Sequence, residues 1–178
     1  MSKRTDFIIN VLKIISWIIF IGFCIQAGAL LFNYVYSLFR PIATKNLHLG
    51  LDLSEIYNQS KAFYTSLFSF IIALSILKAF VFYLVIKMLQ KLNLVKPFSN
   101  EIYGLISKIG YYALSIGIIG LIADAYTKSL THKGYNVNVI ERYWSDNQAY
   151  LMMAAIIFVI AIIFKKGIEL QNENDLTV

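Results

Sequence analysis

The sequence predicts an all-α integral membrane protein, an up-down bundle of four helices with short extracytoplasmic loops. Three observations predict it. Hydrophobic residues make up 58% of the 178-residue chain and charged residues only 15%, against about 25% in a soluble domain. The mean hydropathy is +0.66. The charged residues collect between four apolar runs, at residues 14–39, 62–86, 109–123 and 147–164. A helix needs roughly 20 apolar residues to cross a bilayer core, so the third and fourth runs qualify with flanking residues included. Such a composition excludes a disordered chain and a nucleic-acid-binding domain, and argues against a soluble enzyme.

The first span, about residues 10–40, is longer than a bilayer needs and should tilt or protrude. Arg40-Pro41 ends it, because proline disfavours helix in the residue before it. The run is too long for the apolar core of a signal peptide. Cys24, the only cysteine, is expected to be a packed membrane residue, and a single cysteine forms no internal disulfide. The second span, about 62–90, is interrupted by Lys78. Between these spans, Leu47, Leu49, Leu51 and Leu53 alternate with other residues, as a short strand or an interfacial segment does. Ser54-Glu55 is a candidate helix start leading into the second span.

Lys96-Pro97-Phe98-Ser99-Asn100-Glu101 reads as a stop followed by a start. Ser99 caps the third span, about 101–126, and Glu101 falls where negative charge complements the helix dipole. The loop that follows contains a turn at His132-Lys133-Gly134-Tyr135-Asn136 and a short extended piece at Val137-Asn138-Val139. The fourth span covers about 147–167. The chain thus forms a single four-span membrane domain over residues 1–178, and its two outer loops are candidates for a small cap.

Orientation follows from the basic residues. With the N-terminus inside, nine of the 16 Lys and Arg residues lie on the cytoplasmic side and six outside, which places both termini in the cytoplasm. The net charge of +6 is therefore mainly a topology signal, with some attraction for anionic headgroups. The basic residues flank spans and form no continuous patch, so direct nucleic-acid binding is not expected.

Gly110, Ala113, Gly117 and Gly120 share one face of the third span. Small residues so spaced let a neighbouring helix approach closely. They define a packing seam within the chain or, alternatively, with a second copy in a homo-oligomer. Lys78 is the most conspicuous polar residue, since a lysine within the membrane is costly. It either snorkels toward the inner interface or meets a polar partner. Tyr111, Tyr112 and Ser115 fall near its depth, and no carboxylate does. Asp124, near the outer end of the third span, is expected to pair with Lys128 or Arg142. His48, Asp52, Glu55 and His132 are poor material for a metal site. No catalytic motif occurs, so the chain is expected to be neither an enzyme nor a cofactor protein.

The end of the chain, Phe164-Lys165-Lys166-Gly167-Ile168-Glu169-Leu170-Gln171-Asn172-Glu173-Asn174-Asp175-Leu176-Thr177-Val178, is expected to leave the membrane and fray, or to serve as a docking peptide. It resembles the ending of a large bacterial family of four-span membrane proteins catalogued as a domain of unknown function. Lys96-Pro97-Phe98-Ser99 and Ile109-Gly110 are also similar to that family's pattern, and the resemblance extends over essentially the whole chain. Members are often encoded beside a small Cro/C1-type helix-turn-helix regulator. The resemblance implies a bacterial inner-membrane protein that restrains such a cytoplasmic regulator. Phe98, Glu169, Glu173, Asp175, Leu176 and Val178 are the docking candidates. The alternatives are a small transporter or transporter subunit using Lys78, and an immunity or stress-protection protein acting through its outer loops.

Overall fold

The structure, a computed structural model, describes residues 3–93 and 96–176, apart from the side chains of Asn138, Asp175 and Leu176. The described residues form α1 (Lys3–Phe39), α2 (Ser54–Gln59), α3 (Lys61–Lys91), α4 (Asn100–His132) and α5 (Asn147–Leu176), with short 3-10 turns in the connections. Four of these helices, all but α2, are long and apolar enough to cross a membrane. They run up and down in sequence, so the described ends of α1 and α5 lie together at the terminal end of a helical bundle. The α3–α4 turn shares that end, and the two longer connections occupy the loop end.

Neighbours in sequence are neighbours in space. On the α1–α3 seam Phe23 stacks on Phe82 with centroids 5.8 Å apart, and Tyr34 meets Phe68 at 5.3 Å. Ser37 and the Tyr64 hydroxyl share a 2.6 Å hydrogen bond at the buried loop end of this seam. The remaining faces of α1 expose Phe7, Ile18, Ile25 and Phe32, as suits a helix solvated by lipid. Cys24 is also exposed, which corrects the expectation of a packed thiol.

The helix starts follow their local chemistry. Ser60 accepts a hydrogen bond from the Phe63 amide at the start of α3, and Ser99 accepts one from the Ile102 amide at the start of α4. Each satisfies an amide that the helix itself leaves without a partner. Glu101, in the first turn of α4, pairs with Lys91 at the end of α3, which clamps the short turn between them.

At the loop end the structure departs from the sequence expectations. The alternating leucines form no strand. Leu47 and Leu51 make an isolated bridge around a tight turn in which Leu49 has φ 57° and Gly50 φ 71°. The turn directs Leu47, Leu51 and Leu53 into the core and leaves Leu49 exposed. The helix expected from Ser54 into the second span is split at Ser60, whose extended backbone separates α2 from α3.

The expected extended piece at Val137-Asn138-Val139 is instead the start of a 3-10 turn, Asn138–Tyr143. Its apolar residues recur at helical spacing, and Val137, Ile140, Tyr143 and Trp144 are buried. They join Leu47, Leu51, Leu53 and Ile56 in one apolar cluster with the loop ends of α3 and α4. The two loops thus pack as an ordered cap. The chain end expected to fray instead continues α5 as helix to Leu176.

Candidate functional site

Two places concentrate polar or unusual side chains, one near the loop end and one at the terminal end. Near the loop end, the Lys78 ammonium donates to Asp146 Oδ1 at 2.9 Å and Oδ2 at 2.7 Å, and to the Tyr143 carbonyl at 3.3 Å. It also lies 5.3 Å from the centre of the Tyr150 ring. The lysine side chain is only 10% exposed and the carboxylate 45%. The site is thus a cation inside the bundle held by a half-exposed anion at its edge.

Sequence reasoning placed no carboxylate at this depth, and the reason is geometric. Asp146 immediately precedes the fourth span, and an up-down bundle of full-length spans puts that position at the outer end, well beyond Lys78. The seam, however, sets Gly120 against Asn147 and Trp144, while α4 continues for a further twelve residues to His132. That overshoot is about 18 Å at roughly 1.5 Å per residue. The chain then returns through the buried 3-10 turn and starts α5 about a third of the way down α4 from its loop end. Asp146 therefore comes back to the level of Lys78, which reaches toward the loop end and not toward the terminal end.

The hydroxyls considered as partners for Lys78 lie elsewhere. Tyr111 is 63% exposed and meets Phe158 edge-on at 5.1 Å. Tyr112 packs on Phe80 at 4.8 Å. Asp124 accepts a hydrogen bond from Lys128 at 2.7 Å. Arg142 instead donates to the Leu49 carbonyl at 3.3 Å, bridging the two cap loops, and its guanidinium lies 5.2 Å from the Tyr143 ring.

Gly110, Ala113, Gly117 and Gly120 are all buried, and the three glycines face α5. A Cβ on Gly117 would stand 2.5 Å from Leu151 Cδ2, and one on Gly120 would stand 2.7 Å from Asn147 Cβ. Hydrogens alone therefore permit this approach of α4 and α5.

At the terminal end, Phe98 lies over Gly167, where a Cβ would overlap its ring. Phe98 also meets Phe164 edge-on at 5.3 Å. A surface cavity runs from Pro97 and Phe98 along Lys166, Leu170, Gln171 and Asn174. The structure therefore joins Phe98 to the C-terminal helix, a contact for which the helix-interior glycine was the available signal. Glu169 pairs with Lys166 at 2.6 Å. Glu173 is exposed on the same helix. The side chains of Asp175 and Leu176, and all of Val178, lie outside the described residues.

Among the described residues no group of three or more His, Cys, Asp or Glu is placed to hold a metal ion. No curated protein and no solved structure matches the chain. A family model described as a protein of unknown function, DUF2975, matches residues 48–178. That match leaves α1 outside it, a narrower extent than the resemblance suggested, but it covers three of the four long helices. By that match the chain belongs to the DUF2975 family of proteins of unknown function.

Proposed function

We propose that this protein is a non-enzymatic bacterial inner-membrane anchor that holds a cytoplasmic transcription regulator at the membrane. The supporting observation is the joined surface of Phe98 and the C-terminal helix. α5 continues twelve residues past Phe164, the last residue of its apolar run, which carries it about 18 Å beyond that run at roughly 1.5 Å per residue. The extension presents Leu170, 60% exposed, beside the Phe98 cavity and amid polar residues. An apolar anchor point with a polar surround is how transient interfaces are built. The excess of basic residues at this end supports a cytoplasmic location.

The test is fractionation of cells carrying the protein and a helix-turn-helix regulator of the kind that the family resemblance implies. Removing residues 171–178, or making Phe98→Ala, should shift the regulator from the membrane to the soluble fraction at unchanged levels of the membrane protein. A regulator that remains membrane-bound and equally controlled in both variants refutes the reading. The transport reading draws on Lys78 alone, and a single paired cation is not a relay across the membrane.

A further inference from the structure

Beside the Lys78–Asp146 pair lies a cavity of about 260 Å³, lined by Gln26, Ser75, Lys78, Arg142, Tyr143 and Asp146 among others. Two cations and one anion leave its wall with a net charge of +1. The Gln26 amide makes no hydrogen bond among the described residues. Arg142 uses one guanidinium nitrogen on the Leu49 carbonyl, and an arginine fork has further donors to offer.

Asp146 also lines a second cavity, of about 380 Å³, whose wall is otherwise apolar and includes Phe82, Ala149 and Met153. A third, of about 290 Å³, shares Val85, Ile109 and Ile157 with the second and reaches Phe164. Together they form an apolar groove between α3 and α5, floored by α4. From Asp146 to Phe164 it follows α5 for about 27 Å at roughly 1.5 Å per residue, more than the roughly 15 Å of one leaflet's half of a 30 Å core.

The depth of the polar cavity matters. Asp146 stands nineteen residues from Lys165, the basic residue at the terminal end of α5. That distance is about 28 Å along the helix, so the polar cavity falls at the headgroup boundary of the leaflet away from the termini. A charged pocket at headgroup level, opening onto an apolar groove, has the shape and polarity of a lipid.

We propose that this cavity and groove bind an anionic glycerophospholipid of that leaflet. The phosphate sits against the Arg142 guanidinium and the Gln26 amide, where the net positive wall complements it. Its free headgroup hydroxyls donate to the exposed edge of the Asp146 carboxylate, and one acyl chain lies along Ala149 and Met153.

The probe is phosphatidylglycerol mixed equally with phosphatidylcholine in nanodiscs, with the lipids that stay bound to the released protein counted by native mass spectrometry. The wild type should enrich phosphatidylglycerol about tenfold, because its headgroup hydroxyls make a charge-assisted hydrogen bond to Asp146 that phosphatidylcholine, with a cation in their place, does not. Arg142→Gln, which removes a phosphate contact common to both lipids and brings the charge of the wall from +1 to zero, should lower retention of both and reduce the preference several-fold. Ala149→Phe, which fills the groove from its exposed side and leaves the charges intact, should lower retention of both lipids. A bound-lipid ratio equal to that of the disc overturns the proposal, as does a preference undiminished by Arg142→Gln or a retention undiminished by Ala149→Phe. Displacement of the lipid by millimolar inorganic phosphate also overturns it, since the site would then recognise the ion and not the amphiphile.

Discussion

Removing Asp146 should cost far more than removing Lys78, although the two form one ion pair. Asp146→Ala strands an ammonium whose side chain is 10% exposed, whereas Lys78→Met leaves a carboxylate that is 45% exposed and can hydrate. Breaking a buried pair from one side costs about 3–5 kcal/mol. Lys78 keeps the Tyr143 carbonyl at 3.3 Å and the Tyr150 ring at 5.3 Å, and the pair lies at the bundle's edge. The stranded charge should therefore cost about 2–3 kcal/mol, and loss of the lysine about 1 kcal/mol or less. In the double variant no charge is stranded, so Lys78→Met made on top of Asp146→Ala should recover about 1–2 kcal/mol. The assay is equilibrium unfolding of the four proteins in one detergent at neutral pH. Additive effects, or a Lys78→Met variant less stable than Asp146→Ala, would show that Lys78 is not held as a buried cation and would refute the reasoning.

Three further outcomes can be checked. Gly117→Ala and Gly120→Ala should each lower stability by about 1–3 kcal/mol through overpacking, because their new methyls meet Leu151 and Asn147. Gly22→Ala and Gly28→Ala on α1, which open onto empty space, should be neutral or slightly stabilising in the same unfolding assay. Asp52 accepts hydrogen bonds from the Ser54 amide and hydroxyl, which hold its carboxyl below the usual value of 3.8. Its stabilisation is therefore full above that value and lost as pH falls through the lower folded one. Asp52→Ala should cost about 0.5 kcal/mol at pH 7, small because the group is exposed, and the two stability curves should converge in acid. Gly167→Leu should push Phe98 off α5 and release the regulator in fractionation, with melting little changed. Unchanged retention would show that the Phe98 surface does not dock it.

What the sequence disclosed was local. Ser99 is legible as a cap because its task is completed by Ile102, three residues on. Gly110, Gly117 and Gly120 are legible as a face because helical period alone aligns them. Lys78 and Asp146 are 68 residues apart, and their meeting depends on where α4 stops and how the chain returns. Hydropathy marks where a helix is apolar, not where it ends. Thr127 and Leu130 are buried, Leu130 in the same cluster as the cap residues, and they lie past the apolar run that hydropathy marks in α4. The leucines of residues 47–53 misled for a related reason. A tight turn with Leu49 in the left-handed region buries alternate residues just as a strand would.

The returning segment is costly for what it buries. It places the Tyr143 hydroxyl and the Trp144 indole nitrogen in the interior without partners among the described residues. Each such group costs about 1–3 kcal/mol. It also draws Lys78 out of water. Burial of Val137, Ile140 and the Trp144 ring offsets these costs, but an apolar pair at positions 78 and 146 would serve stability as well or better. An ion pair does what an apolar pair does not, since it is satisfied at one distance and in one direction. The seating of Leu151 on Gly117 and of Asn147 on Gly120 already favours one register of α5 on α4. A slide or rotation of α5 by a residue would also separate Asp146 from Lys78. The pair and the glycine contacts therefore favour the same register of α5, and with it the position of Gly167 under Phe98 at the far end of the same helix.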